Sequence, residues 1–144
     1  MRVSRRLVAC ALLAAASPLA AQPPAGKQVV GRGSATLSAG IRAGNLLFVS
    51  GQLGMRRDAP DSTIQGQTKQ ALENMKGVLE AAHTTPENVV KCTVFLLDMK
   101  DFAGMNSAYT QFFTSNPPAR STVAVAGLAS PGAKVEIECI AIVP

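Results

Sequence analysis

Apolar and polar positions along this chain repeat with two different periods, and the switches between them outline a fold. Between residues 64 and 82, Ile64, Thr68, Leu72 with Ala71, Met75, Leu79 with Val78, and Ala82 recur at spacings of three and four. That spacing gathers them along one side of a helix. Lys69, Glu73, Lys76 and Glu80 fall off the stripe and into solvent. His83-Thr84-Thr85-Pro86 ends the helix, since proline cannot continue one, and His83 belongs to that terminus rather than to chemistry. A second helix is predicted to carry Phe102, Met105, Tyr109, Phe112 and Phe113 on one stripe. Asp98 caps its start, and Asn116-Pro117-Pro118 stops it.

Elsewhere the pattern shortens to that of strands. Residues 38–42 and 45–50 read as two strands joined tightly through Ala43-Gly44, and Leu46-Leu47-Phe48-Val49 is short enough for a buried one. Gly51-Gln52-Leu53-Gly54 breaks the pattern, and residues 55–62 read as an exposed loop. Residues 88–97 hold a β-branched central strand. Residues 121–126 and 135–143 are the last two strands, flanking a glycine-containing loop. The order strand, strand, helix, strand, helix, strand, strand is that of an α+β sheet with both helices packed on one face. Apolar side chains lie on both sides of the strands at 46–49, 94–97 and 135–143, so a self-associating oligomer is expected to cover the other face.

The first 21 residues stand apart from this pattern. Arg2, Arg5 and Arg6 precede an uncharged run from Leu7 to Ala16, and Ser17-Pro18-Leu19-Ala20-Ala21 is a small-residue cleavage region. This reads as a secretory signal peptide cut after Ala21, with an apolar run too short to span a bilayer. A lipoprotein box at Leu7-Val8-Ala9-Cys10 is discounted because the apolar stretch lies after the cysteine. A twin-arginine signal at Ser4-Arg5-Arg6 is discounted because the residues after it fit poorly. A periplasmic or secreted mature chain, free of the membrane, is expected. Residues 22–34 read as a flexible lead-in with a short strand at 27–30, and residues 35–144 as one domain.

Removing the leader changes the charge picture. It takes three of the 14 basic residues and none of the nine acidic ones, leaving a net charge of +2. The sequence pI near 9.5 therefore overstates the basicity of the mature chain. No block of lysines or arginines remains, which argues against nucleic acid as a partner. His83 is the sole histidine, so there is no metal-ligand spacing. Cys92 and Cys139 fall in apolar strand patterns and are expected to be buried free thiols, although an oxidising compartment would permit a disulfide.

The candidate chemistry lies near the C-terminus. Pro118-Ala119-Arg120-Ser121 carries an arginine into one strand, and Val135-Glu136-Ile137-Glu138 places a glutamate in the next. A charge inside a strand must face water, a partner charge or a ligand, because burying it unpaired is expensive. On neighbouring strands the two could hold a small carboxylate substrate and handle a proton or a water beside it. The bland alternative is an ion pair at a subunit interface, Arg120 with Glu136 itself. Glu138, Lys134 and Arg42 read as solvated charges.

Four segments together resemble the RidA (YjgF/YER057c/UK114) family over roughly residues 35–143. They are Ile41-Arg42-Ala43-Gly44-Asn45-Leu46-Leu47-Phe48-Val49-Ser50-Gly51-Gln52, Gln70-Ala71-Leu72-Glu73-Asn74-Met75, Val94-Phe95-Leu96-Leu97-Asp98-Met99, and Pro118-Ala119-Arg120-Ser121 with its Glu136. The resemblance implies a chorismate-mutase-like fold with a mixed sheet, a homotrimer, and sites in clefts between subunits. It also implies a cofactor-free enamine/imine deaminase that hydrolyses 2-imino acids, such as 2-iminopropanoate and 2-iminobutanoate, to 2-keto acids and ammonia. By the same resemblance Arg120 grips the substrate carboxylate, and Glu136 handles the attacking water and the departing ammonia. Asn106 lines the cleft, Ser50 and Gly51 stand beside the ligand, and Thr122 stands where many members have cysteine or serine. Leu37 departs from the tyrosine or phenylalanine usual in deaminase members, keeping an apolar wall but losing a phenol hydrogen bond. Two other readings are a non-catalytic module that holds a metabolite or shields unfolded proteins, and a ribonuclease. The ribonuclease lacks a basic stripe, and His83 is a poor catalyst for it.

Overall fold

The computed structural model describes residues 26–55 and 61–144. The signal-peptide reading of residues 1–21 lies outside the described residues, as do residues 22–25 of the lead-in and residues 56–60 of the exposed loop. The described chain folds as β1 (Gln28–Val30), β2 (Gly40–Ala43), β3 (Leu46–Leu53), α1 (Ile64–Ala81), β4 (Val89–Leu96), α2 (Phe102–Phe112), β5 (Ala119–Ala124) and β6 (Val135–Ile142). The strands form one sheet in the order β1-β2-β3-β6-β4-β5. Every pair is antiparallel except β4 with β5. That one parallel step needs a crossover, and α2 supplies it.

Local chemistry fixes the helices where the apolar stripes put them. Thr63 caps α1, its side-chain oxygen accepting from the Gly66 amide at 3.1 Å. Past the Ala82 cap, His83 takes a left-handed turn (φ 59°) and ends the helix. Asp98 accepts from the Lys100 amide at 2.9 Å and caps a short 3-10 turn, Met99–Asp101, that leads into α2. Both helices pack on one sheet face. Leu47, Leu72, Met75, Leu79, Val94, Leu96, Met105, Val135 and Ile137 are wholly buried between the layers. Burying each such side chain stabilises by about 1.5–3 kcal/mol.

Three expectations are corrected. Gly51 to Leu53 do not break the strand, because β3 runs through them with a register slip between Val49 and Gln52. A bulge of this kind bends a strand and re-aims its side chains without ending it. β5 begins at Ala119, before the expected residue 121. The strands of Arg120 and Glu136 are consecutive in sequence but are not neighbours, since β4 lies between β5 and β6.

The second sheet face has no cover among the described residues. An apolar row crosses it in register, from Val29 through Ile41 and Phe48 to Ile140, and then meets Lys91. Phe48 in the middle of that row is 43% exposed. Cys92 and Cys139 are free and buried, and they face each other across β4 and β6. No helix among the described residues is long and apolar enough to cross a membrane.

Candidate active site in two halves

Arg120 lies on the helix-covered face of the edge strand β5, in register with buried Cys92 of β4. Its guanidinium sits 4.5 Å from the centroid of the Tyr109 ring and 5.8 Å from that of Phe102. One terminal nitrogen reaches the Met105 sulfur at 3.9 Å. Phe102, Met105 and Tyr109 are the α2 stripe, at spacings of three and four. Among the described residues no carboxylate pairs with this cation; the ion pairs found join Lys76 to Glu80, Lys100 to Asp98 and Lys134 to Asp101. Lys134 is therefore paired, at 3.8 Å, rather than simply solvated.

Thr122 comes two residues later on the same face, in register with buried Val94. Its hydroxyl oxygen is buried and has no hydrogen-bond partner among the described residues. A buried orphan hydroxyl costs about 1–3 kcal/mol, which a bound ligand can recover. Asn106 stands one helical turn beyond Phe102 on α2, half-buried, its backbone carbonyl accepting from the Thr110 hydroxyl at 3.1 Å.

Glu136 belongs to the opposite face. It stands in register with Phe95 of β4 and Leu53 of β3 on the uncovered side of β6. Its carboxylate lies against Gly51, close enough that a methyl group at that residue would sit 2.7 Å from the carboxylate carbon. Ser50, beside it in the bulge, donates its hydroxyl to the Ser38 carbonyl at 2.7 Å and its amide to the Ala39 carbonyl at 3.0 Å. Those bonds draw the segment carrying Leu37 alongside the bulge, and Leu37 itself is exposed.

The seven residues singled out in the sequence thus fall into two groups. Leu37, Ser50, Gly51 and Glu136 line the β3–β6 side, and Asn106, Arg120 and Thr122 line the α2–β5 side. Within one chain Arg120 and Glu136 neither form an ion pair nor share a pocket, because they project from opposite faces with β4 between them. The aromatic cradle under Arg120 is what the sequence reading missed. Phe102, Met105 and Tyr109 are visible there only as a core-facing stripe, and their spacing cannot show what they touch.

Burial pushes the Tyr109 hydroxyl well above the ordinary phenol range. The Cys92 thiol beside it adds to this, and the Arg120 charge opposes it. Burial likewise raises both thiols. At Cys139 the neighbouring Cys92 and Glu138 add to the effect, and at Cys92 the Tyr109 hydroxyl and the Arg120 charge partly offset it. A shallow pocket of about 120 Å³ opens between β3, β6 and β4, lined by Phe48, Lys91, Thr93, Glu138 and Ile140 among others, apart from both groups. Among the described residues no cluster of His, Cys, Asp or Glu could hold a metal ion.

Residues 32–143 match a family model described as Endoribonuclease L-PSP. The chain is 43% identical over 107 residues to a RutC family protein of Pyrococcus horikoshii, covering 72% of this chain and 84% of that one. It is 42% identical over 107 residues to the chloroplastic Reactive Intermediate Deaminase A of Arabidopsis thaliana, covering 72% of this chain and 57% of that longer protein. Its fold is similar to the crystal structure of YyfA of Yersinia pestis, a protein of the conserved Rid family. The TM-score there is 0.76 at 35% identity, over 82% of this chain and all of that one.

Proposed function

The chain belongs to the RidA (YjgF/YER057c/UK114) family, and we propose that it hydrolyses 2-imino acids to 2-keto acids and ammonia in sites shared between two copies. The observation that carries this reading is the division of the site. Arg120 offers a cation, with no carboxylate partner among the described residues, from the edge strand on one face. Glu136 offers a carboxylate from the uncovered, apolar face. A second copy laid on that face covers the row through Phe48 and brings its own α2–β5 edge to Glu136. A closed ring of three copies, a homotrimer, satisfies every such face once.

The chemistry needs little beyond positioning, because an iminium carbon is already electrophilic. Arg120 holds the substrate carboxylate through paired N–H donors. Glu136 takes a proton from water as the water oxygen bonds to C2, and the imine nitrogen becomes an amine. Glu136 then returns that proton to the nitrogen and takes the remaining hydroxyl proton as the C–N bond breaks, so the C2 oxygen becomes a ketone and the ammonia leaves, carrying that last proton away as ammonium. Thr122, Asn106 and the Ser50-Gly51 bulge line the cleft, and Leu37 supplies an apolar wall. This needs no cofactor. The ribonuclease reading suggested by the family model's description has less support, since His83 sits at the end of α1 and in neither half.

The test uses the full chain with freshly generated 2-iminopropanoate and 2-iminobutanoate, beside Arg120→Ala and Glu136→Ala. The wild type accelerates hydrolysis, and each variant loses about a hundredfold or more. Co-expressing the two inactive variants restores about a quarter of wild-type activity, because one shared site in four pairs an intact arginine with an intact glutamate. No recovery in the mixed assembly overturns the shared site. A wild type that binds 2-oxobutanoate but hydrolyses no imine overturns the deaminase in favour of a binding module.

A further inference from the structure

Arginine is a costly choice for gripping a small anion unless something holds it still, because its side chain carries about 2 kcal/mol of rotamer entropy. In this fold the holding group is visible. The Arg120 guanidinium carbon lies 4.5 Å from the Tyr109 ring centroid, with Phe102 at 5.8 Å and the Met105 sulfur at 3.9 Å from one nitrogen. A thioether is a weak acceptor, so that contact leaves the N–H donors almost fully available. Tyr109 and Met105 are themselves buried, and Tyr109 is braced by Phe113 at 4.8 Å between centroids. The surface under the arginine is therefore rigid.

We propose that Tyr109, with Phe102 at the rim, is a positioning residue whose ring face fixes the Arg120 guanidinium so that its N–H edge is presented to an incoming carboxylate. The inference rests on the reading of Arg120 as the carboxylate grip. The working part is the ring face and not the hydroxyl, since it is the ring centroid that the guanidinium stands over, at 4.5 Å. The effect falls on binding more than on the chemical step, because the guanidinium holds the same carboxylate in the substrate and in the transition state.

The test measures KM and kcat for 2-iminobutanoate, and Kd for 2-oxobutanoate by calorimetry, in the full chain and in Tyr109→Leu, Tyr109→Phe and Phe102→Leu. Tyr109→Leu raises KM and Kd about tenfold, with kcat within about twofold of wild type. Phe102→Leu raises both about threefold, and Tyr109→Phe restores wild-type values of both. Unchanged KM and Kd in a folded Tyr109→Leu protein overturns the proposal, as does a Tyr109→Phe loss equal to that of Tyr109→Leu. Should Tyr109→Leu not fold, Phe102→Leu decides by the same two constants, because that side chain is 38% exposed and not a core residue. A wild type that binds 2-oxobutanoate without hydrolysing imine refutes the proposed reaction and leaves the cradle to be judged on Kd. A wild type that binds neither overturns both.

Discussion

A methyl group at Gly51 would stand 2.7 Å from the Glu136 carboxylate carbon, inside the closest approach real side chains make. The clash falls on the far end of a flexible side chain, so Glu136 swings aside while the backbone stays. Gly51→Ala is therefore expected to lower kcat/KM about tenfold to a hundredfold with little change in melting temperature, because a misplaced base about 1 Å away loses that much. Steady-state kinetics beside a thermal melt checks both halves. The two thiols make a second prediction at this scale. Burial raises the folded-state pKa of Cys92 and of Cys139, whereas an unfolded chain releases such protons near pH 8.5. Their contribution is fully present below that pH and is lost as pH rises, with a slope of up to about 1.4 kcal/mol per pH unit per thiol. Urea unfolding between about pH 8 and pH 10 should show this decline, and Cys139→Ala should make it shallower.

Gln67 binds two elements together at the level of the fold. Its amide nitrogen donates to the Asp61 carbonyl at 2.9 Å and the Gly132 carbonyl at 3.0 Å, and its oxygen accepts from the Lys134 amide at 2.8 Å. Gln67→Leu keeps the volume but strands those backbone groups, and a loss of about 2–4 kcal/mol in urea unfolding is expected. The helical stripe of α1 is plain in the sequence, and Gln67 falls on its buried side, three residues after Ile64 and four before Ala71, but is not apolar and so does not count toward it. Apolar periodicity reports which side is buried and is silent about a polar side chain buried with its partners. The same limit applies to the strands. Alternation marks β4 and β6 well, because each buries one face and half-exposes the other. Glycine at 51 looks like an ending because a bulge and a strand end share that residue. Strand order is out of reach, since pairing between distant segments leaves no local signature. This is why Arg120 and Glu136, legible as a pair of charges, read as side by side when the sheet sets them on opposite faces.

The apolar row on the uncovered face makes a prediction about the whole molecule. Phe48→Asp puts a charge in its middle, and sedimentation should show a trimer for the wild type, as proposed, and a monomer for the variant. Imine hydrolysis should fall about a hundredfold or more with it, although residue 48 is in neither half of the site. An active monomer would separate catalysis from assembly. The strand order has one more consequence, and it concerns synthesis. β6 follows the other five strands of the sheet in sequence, yet it lies at the sheet's centre and, among the described residues, is the link between β3 and β4. As the polypeptide leaves the ribosome, β1 to β3 can pair first, and β4 and β5 afterwards. The two partial sheets keep bare edges toward each other until β6 is made. Such edges readily recruit foreign strands, so the nascent chain is most vulnerable to aggregation just before β6 emerges.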